Sequence, residues 1–282
     1  MTIAKRFLFD QIYDVAQASG GVAMPAGFLY APGIYQFNGV SYDMTKSGVY
    51  RFLDPASGSN AWRAVTWNDP MEMCSVFAEL SCHGGEDNAQ PITALNQIAR
   101  NRRARITCGV VVPWAQSWLA SAGFQSRIVR FLTMTTPNGF DDGHVCVEVK
   151  WNGSWVLADL DLGRYYTTAG SALSAKDFVG LVPSFGFTIV PLAHGTSKLD
   201  TSPLSSATFN YASYNEITFA TPTMAQQWVQ RICQAVGIDA SDGNTYWLLP
   251  AGSQSRASWV TGLQSNYKVD TDPAVWAARF YP

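Results

Sequence analysis

The sequence predicts an α+β protein, and three observations lead to this class. Apolar residues recur at helical spacing between Cys108 and Gly123 and in several other stretches. Other stretches are rich in aromatic and β-branched residues and are bounded by turn residues, as strands are. The dipeptide Asn152-Gly153 lies between two such stretches and is typical of the tight turn of an antiparallel hairpin. We therefore expect helices that pack on an antiparallel β-sheet.

The composition limits the classes of function. The chain has 282 residues, of which 47% are hydrophobic and 14% charged, so it can bury a sizeable core and is not globally disordered. The net charge of -2 provides no strong positive field, which argues against nucleic acid as the main partner. The basic cluster before the central stretch is interpreted as the solvated face of a helix; it comprises Arg100, Arg102, Arg103 and Arg105.

The cysteines and the N-terminal residues bear on metals and compartment. An odd number of irregularly spaced cysteines does not predict a disulfide framework; they are Cys74, Cys82, Cys108, Cys146 and Cys233. No Cys-x-x-Cys pair is present, and we expect no metal and no cofactor. The apolar run near the N-terminus is interrupted by Asp10, so we expect neither a secretory signal nor a membrane span. The expectation is a soluble, cytoplasmic protein without a membrane partner.

The residues before the central stretch are expected to form helices and short strands. Helical spacing occurs over 5–18, 70–80 and 91–103, and strand patterns broken by turns occur over 28–52. Asp69 is a suitable N-cap residue. It comes directly before a proline, which suits the first position of a helix.

The elements after the central stretch are shorter. Ser174 and Asp177 form a capping box at a helix start. A strand is expected over 185–192, and a helix over 223–236 that Gly237 ends. We divide the chain into an extension with an N-terminal helix and short strands (1–65), a core (66–192) and a C-terminal extension packed on that core (193–282).

Cys108 lies where a helix is predicted to begin. Apolar residues line one face of this helix; they are Val111, Trp114, Ala115, Trp118, Leu119 and Ala122. The unpaired N–H groups and the positive dipole end at a helix N-terminus stabilise a thiolate and suit a developing oxyanion. Pro113 falls within the first turns, so we expect regular helix to begin near Val112, with Cys108 in the preceding turn.

The predicted hairpin brings a histidine and two carboxylates to one face. With Asn152-Gly153 as the turn, His144 lies directly across from Asp161 and diagonally across from Asp159. Cys146 shares this face. Either carboxylate is close enough to orient the imidazole. A cysteine nucleophile, a histidine base and an orienting carboxylate are the parts of a catalytic triad.

Several motifs around these residues occur in a fixed order; they are Thr107-Cys108-Gly109, Ala122-Gly123-Phe124, Ser126-Arg127-Ile128-Val129, Gly143-His144-Val145-Cys146-Val147-Glu148-Val149 and Trp155-Val156-Leu157-Ala158-Asp159. In order and spacing they resemble the transglutaminase-like family of cysteine enzymes, over roughly residues 90–180. The resemblance implies a papain-like fold, with the nucleophile helix packed on an antiparallel β-sheet. It implies that Cys108 is the nucleophile, that His144 is the general base and acid, and that Asp159 orients His144. Asp161 remains the alternative orienting residue.

Some positions depart from the family pattern or stay open. Cys146 stands where the family has a larger residue, and we expect it to pack passively. Motifs do not assign the side chain that helps to hold the oxyanion; the candidates are Trp67, His83, Asn88 and Gln90. His83 and His194 are otherwise interpreted as ordinary loop histidines. Arg127 is expected to be structural, and Trp155 to be a wall beside the site.

The resemblance implies a cysteine enzyme that acts on amide bonds of a peptide or protein substrate through a thioester. Attack by water makes it a peptidase or amidase, and attack by an amine acceptor makes it an acyltransferase that crosslinks chains or builds amides. Hydrolysis is favoured, because bacterial-type members of this size are often hydrolases. Two alternatives stay open, namely a catalytically silent binding module and a zinc-dependent site at Cys82-His83. No acidic loop suited to calcium is present.

Overall fold

The computed structural model of the protein describes residues 4–8, 11–15, 20–23, 29–37, 39–45, 48–53, 60–66, 69–100, 102–135, 142–192, 222–250 and 266–282. Helices and β-sheets both occur in these ranges, and the predicted α+β class is confirmed. Every helix within them is too short or too polar to pass through a lipid bilayer.

The chain forms two compact units, each built from segments that are not consecutive. The first unit contains Met1–Phe124, Leu160–Arg164 and Pro191–Phe209. The second unit contains Gln125–Asp159, Tyr165–Val190 and Asn210–Pro282. The two carboxylates that the sequence offers as partners of the histidine therefore belong to different units, Asp159 to the second and Asp161 to the first.

Short strands form the first part of the first unit. They are β1 (Ala4–Leu8), β2 (Gln11–Val15), β3 (Val22–Ala23), β4 (Leu29–Tyr30), β5 (Gly33–Phe37), β6 (Val40–Met44), β7 (Gly48–Leu53) and β8 (Asn60–Val65). One sheet has five strands in the order β2-β1-β7-β8-β4, and another has the order β3-β5-β6. The expectation of short strands over 28–52 is confirmed.

The helix predicted over residues 5–18 is wrong. This stretch forms the antiparallel hairpin of β1 and β2, in which Leu8 pairs with Gln11. Strand β1 also pairs with β7, with Phe7 opposite Val49. The local apolar spacing suits a helix, but pairing with a strand about forty residues away is not encoded in local spacing. Aromatic and β-branched residues in the stretch favour the extended form that this pairing needs.

Three helices follow in the described part of the first unit; they are α1 (Pro70–Leu80), α2 (Ile92–Ala99) and α3 (Cys108–Ser121). Asp69 caps α1 as predicted, because its carboxylate accepts the N–H groups of Met71 and Glu72. Helices α1 and α3 pack together through Phe77 and Trp114, whose rings meet edge to face with centres 4.9 Å apart. The core-facing side of α3 is therefore buried against α1.

A parallel two-stranded ribbon leads into α3. Its strands are β9 (Ser81–His83) and β10 (Ala104–Ile106), and Ile106 lies opposite His83. Helix α2 ends at Ala99, earlier than the predicted end at Arg103, and β10 begins directly after that predicted end, at Ala104. The ribbon places the last residue of β9 next to the segment from which α3 starts.

One sheet of nine strands organises the second unit. The strands are β11 (Ser126–Leu132), β12 (Gly143–Trp151), β13 (Ser154–Asp159), β14 (Arg164–Thr168), β15 (Ser171–Ala172), β16 (Thr188–Pro191), β17 (Ala235–Asp239), β18 (Thr245–Leu248) and β19 (Tyr267–Asp270). Their order is β15-β14-β13-β12-β11-β17-β18-β19, and β16 pairs with β14. The α-helices in the described part of this unit are α4 (Ala175–Leu181), α5 (Pro222–Ile232) and α6 (Pro273–Phe280).

The hairpin of β12 and β13 has the predicted turn and register. Asn152 and Gly153 have φ angles of 49° and 82°, the left-handed values that a type I′ turn requires at both central positions. Trp151 pairs with Ser154, and the pairing continues in this register along both strands. Alternate side chains of the two strands therefore share a face, as the sequence analysis requires.

Arg127 is structural, as predicted. Its Nε donates to Oε2 of Glu148 at 2.7 Å, and its Nη1 donates to the carbonyl of Phe280 at 2.9 Å. Its guanidinium stacks on Trp155, 3.9 Å from the ring centre. Glu148 is fully buried and also accepts the hydroxyl of Tyr281, so burial and this carboxylate raise the pKa of Tyr281. The network ties three strands of the sheet to the last residue of α6 and the residue after it.

Gly237 does not end a helix, in contrast to the prediction. Helix α5 ends at Ile232, and Gly237 lies within β17 opposite Trp247 of β18. A Cβ atom built on Gly237 would lie 2.8 Å from the indole ring. The close approach of the ring, rather than a helix terminus, is what requires glycine here.

Candidate active site

Cys108 is the first residue of α3. The N–H groups of Val110 and Val111 donate to the carbonyl of Thr107, at 2.9 and 3.0 Å. The helix therefore begins at Cys108 itself and not near Val112. Pro113 lies inside the helix. Because the first N–H groups of a helix have no acceptor within it, those of Cys108 and Gly109 can bind a negative charge beside the sulfur.

Cys108 differs from the other cysteines in exposure. All five cysteines lie in the described part of the chain and form no disulfide bond there, and four of them are buried: Cys74, Cys82, Cys146 and Cys233. Cys108 is partly exposed. The adjacent Gly109 is exposed, and a Cβ built on it would meet only Oγ1 of Thr107 within 4 Å, at 3.9 Å. Solvent and reagents therefore have access to this thiol.

The loop after β9 is hydrogen-bonded to the residues that precede α3. Oδ1 of Asn88 accepts the N–H of Thr107 at 2.9 Å. The Asp87 carboxylate accepts two bonds from Arg102, at 2.7 and 2.9 Å, and one from the N–H of Arg105 at 2.8 Å. Burial alone would raise the pKa of Asp87, but these hydrogen bonds and the two arginine charges outweigh it and lower the pKa. Arg102 thus anchors a loop and is not part of a solvated helix face.

His83 is buried at the end of β9 and paired with a carboxylate. Its Nδ1 lies 2.7 Å from Oδ2 of Asp161, and the two side chains are only 7% and 2% exposed. The interpretation of His83 as an ordinary loop histidine is therefore wrong. His83 is buried because β9 pairs in parallel with β10, and no local sequence pattern predicts this pairing. Cys82 precedes His83 in the strand, and consecutive strand side chains point to opposite faces, so these two do not form a zinc site together.

Asp161 also lies close to the candidate nucleophile. One of its carboxylate oxygens is within 4.8 Å of Sγ of Cys108. Both residues belong to the first unit, as does His83. This unit therefore assembles a thiol, a carboxylate and an imidazole around the start of α3.

His144 of the second unit is paired with Asp159. Its Nε2 lies 3.0 Å from Oδ2 of Asp159, and the two side chains are 3% and 0% exposed. The hydroxyl of Tyr166 donates to the same carboxylate oxygen at 3.2 Å. With the proton on Nε2 facing the carboxylate, the neutral ring has its lone pair on Nδ1, which is the arrangement of a general base. Of the carboxylates that the hairpin register offers, the diagonal one makes this contact.

Trp228 and Cys146 lie beside the histidine. The indole of Trp228, on α5, meets the His144 ring edge to face with centres 5.3 Å apart. Sequence reasoning missed Trp228 and Tyr166, because both contacts join elements whose proximity depends on the sheet order. The sulfur of Cys146 lies within 4.8 Å of a His144 nitrogen and an Asp159 oxygen. The expectation of no metal and no cofactor stays a prediction.

The other predicted site residues have different surroundings. Asn88 and Gln90 lie in the loop before α2, where Asn88 is half-buried and Gln90 is exposed. Trp155 stacks on Arg127, and its expected place as a wall beside the site stays a prediction. Two residues that the sequence analysis weighed lie outside the described residues, Trp67 and His194.

No protein-family model matches the chain, and comparisons with curated proteins and with solved structures likewise give no match. The resemblance to the transglutaminase-like family therefore rests on the motifs of the chain itself. The catalytic roles of Cys108, His144 and Asp159 stay predictions.

Proposed function

We propose that this protein is a transglutaminase-like cysteine enzyme that cleaves amide bonds of a peptide or protein through a thioester on Cys108. The observation that carries the proposal is the buried pair of His144 and Asp159, in which Nε2 and Oδ2 are 3.0 Å apart. The partial exposure of Cys108 at the first turn of α3 supports it. The proposal implies a papain-like arrangement, with the nucleophile helix packed on the antiparallel sheet.

A buried histidine–carboxylate pair is better explained by chemistry than by stability. Removing a carboxylate from water is costly, and apolar residues of the same volume often stabilise a fold at least as well. Asp159 is fully buried, its Oδ2 accepts the hydroxyl of Tyr166, and Nε2 of His144 lies 3.0 Å from the same oxygen. Such an arrangement fixes the tautomer and the orientation of the ring, which a proton-transfer group needs.

In the proposed acylation step, His144 takes the proton of the Cys108 thiol, and the thiolate attacks the carbonyl carbon of the substrate. A carbon–sulfur bond forms, and the carbonyl oxygen becomes an oxyanion that the N–H groups of Cys108 and Gly109 stabilise. The tetrahedral intermediate then collapses, and the carbon–nitrogen bond breaks. His144 gives its proton to the leaving amine, and a thioester remains on Cys108.

In the proposed deacylation step, a water molecule enters and His144 takes one of its protons. The hydroxide attacks the thioester carbon, and the carbon–sulfur bond breaks through a second oxyanion. The products are a carboxylic acid and the regenerated thiol. If an amine enters instead of water, the same steps form a new amide, and the enzyme acts as an acyltransferase.

The proposal is tested with an activated acyl donor, p-nitrophenyl acetate, followed by intact-protein and peptide mass spectrometry. We expect one acetyl group on Cys108 during turnover and none after Cys108→Ala. Cys233→Ala is the matched control, because Cys233 is buried, and it should keep both acetylation and turnover. Equal acetylation of wild type and Cys108→Ala would contradict the proposal.

The same experiment separates hydrolysis from transfer. An amine such as cadaverine is added once the acetyl-enzyme has formed, and the products are quantified. Acetate as the main product supports the hydrolase, which we favour. N-acetylcadaverine as the main product, at an amine concentration far below that of water, would instead identify an acyltransferase.

A further inference from the structure

We propose that His83 and Asp161 form a second histidine–carboxylate pair that controls the charge of the Cys108 thiol. Protonated His83 neutralises Asp161, so that this carboxylate does not oppose formation of the thiolate. The inference rests on the proposed role of Cys108 as the nucleophile. It gives a function to two residues that the proposed mechanism does not use.

Two distances define the arrangement. A carboxylate oxygen of Asp161 lies within 4.8 Å of Sγ of Cys108, and Oδ2 of Asp161 lies 2.7 Å from Nδ1 of His83. The second distance is in the range of hydrogen bonds in which both groups are charged. Both partners of the pair are more than nine-tenths buried, so salt and water screen them little.

These positions determine whether the pair favours or disfavours the thiolate form of Cys108. An ionised carboxylate this close to a thiol disfavours the thiolate, because two negative charges repel each other at short range and low dielectric. The start of α3 acts in the opposite direction, since its N–H groups favour negative charge. An imidazolium bound to Asp161 cancels the repulsion and leaves the helix terminus to act. His83 therefore acts on the charge of Cys108 through Asp161 and does not need to touch the substrate.

The surroundings of this pair contain other ionisable groups of the first unit. Helix α1 and strand β10 pack against α3, and β9 pairs with β10. The other ionisable groups on these elements, on their adjoining loops and on the segment of Asp161 are Asp69, Glu72, Cys74, Glu79, Cys82, Glu86, Asp87, Arg102, Arg103, Arg105 and Arg164. In the loop, Asp87 and Glu86 pair with Arg102 and Arg105, at 2.7 and 3.8 Å. Through its pairing, Asp161 thus has His83 as a positive partner at bonding distance.

A double-mutant cycle tests the inference through the rate at which iodoacetamide alkylates Cys108, resolved by mass spectrometry. The proteins are wild type, His83→Gln, Asp161→Asn and the double variant. At about pH 6 we expect His83→Gln to slow alkylation about tenfold, because the positive charge of His83 no longer offsets the Asp161 carboxylate. In the double variant the carboxylate is absent as well, and the rate should return to within about threefold of wild type. Circular dichroism confirms that each protein is folded.

A purely structural role gives the opposite pattern. If His83 only fills space and satisfies a hydrogen bond, the second substitution disturbs the packing further. The alkylation rate of the double variant then stays as low as that of His83→Gln, or falls below it, and does not return toward the wild-type rate. That result overturns the inference, as does wild-type reactivity in folded His83→Gln. Failure of the proposed function is distinguishable, because wild-type Cys108 would then react no faster at about pH 6 than an ordinary thiol.

A second measurement uses only the wild-type protein and so does not depend on whether a variant folds. Nitrogen-15 NMR of the imidazole rings of the wild-type protein reports whether each ring carries one proton or two. The inference requires two protons on the His83 ring at the pH of about 6 at which Cys108 is alkylated. A singly protonated His83 ring under these conditions overturns the inference.

Discussion

Oδ2 of Asp159 lies 3.0 Å from Nε2 of His144, and both side chains are almost completely shielded from solvent. The contact crosses the hairpin of β12 and β13 diagonally. Burial keeps the interaction from being screened, and the hydroxyl of Tyr166 holds the same oxygen from a third strand. The orientation of the imidazole therefore depends mainly on one carboxylate.

Replacing this carboxylate should remove most of the activity. We expect Asp159→Asn to lower the acylation rate of Cys108 by about a hundredfold or more, because an amide can donate to Nε2 and favour the wrong tautomer. Tyr166→Phe, which keeps the carboxylate, should lower the rate by less than about tenfold. Stopped-flow release of p-nitrophenol measures both rates. A rate within about twofold of wild type for folded Asp159→Asn would contradict the assignment.

Gly109 offers a test of access to the thiol. Among the described residues outside the neighbouring backbone, a Cβ at this position meets nothing closer than Oγ1 of Thr107 at 3.9 Å, so Gly109→Ala should fold and gain about 0.5 kcal/mol of stability. The new methyl group lies beside the proposed oxyanion site, and we expect slower acylation, with a larger effect for benzoyl than for acetyl donors. Thermal unfolding and acylation kinetics measure the two effects. Gly180→Ala is the matched control, because that helical glycine also has open space around it. Unchanged acylation of Gly109→Ala with both donors would argue against substrate approach from this side.

The lowered pKa of Asp87 predicts a dependence of stability on pH. A carboxylate whose pKa is lower in the folded state stabilises the fold above its unfolded value of about 3.9, and this contribution is lost as pH falls through the folded value. We therefore expect Asp87→Asn to be less stable than wild type near neutral pH, by about 2 kcal/mol, and the difference to disappear in acid. Glu86→Gln is the control, since Glu86 lies 3.8 Å from its arginine and should contribute little. Thermal unfolding across the pH range gives both comparisons. A stability difference that stays constant down to the most acidic pH would contradict the prediction.

Gly237 tests the packing of the large sheet. Its Cβ would lie 2.8 Å from the indole of Trp247, and the ring is buried between strands, so Gly237→Ala should destabilise the fold by about 1–3 kcal/mol. Gly180→Ala, in open space on α4, should leave stability unchanged or raise it. Chemical denaturation measures the two free energies of unfolding. Equal stability of Gly237→Ala and Gly180→Ala would show that the ring can move away.

The parts of the fold that sequence predicts well are those that neighbouring residues determine. Asp69 caps α1 through N–H groups two and three residues ahead, and Asn152-Gly153 sets its hairpin through its own φ angles. The register of β12 and β13 then follows from the turn alone. The diagonal placement of His144 and Asp159 could be expected for this reason.

The parts that sequence misses depend on pairing between distant segments. Strand β1 extends because β7 lies beside it, although its apolar spacing suits a helix. His83 is buried because β9 pairs with β10, and its bond to Asp161 joins residues 78 positions apart. Gly237 is required by a ring on the next strand and not by a helix end. None of these contacts leaves a local signal in the sequence.

The central claim is that Cys108 is a nucleophile that His144 activates, and its most direct test is the alkylation of Cys108 by iodoacetamide at about pH 6 in wild type and in His144→Ala. The four buried cysteines serve as internal references within each sample. We expect wild-type Cys108 to react rapidly, well ahead of the other four, and at least about tenfold more slowly after the substitution. If Cys108 of the folded wild type reacts only as fast as an ordinary thiol, whose ionisation needs about pH 8.5, and His144→Ala changes nothing, the claim is contradicted.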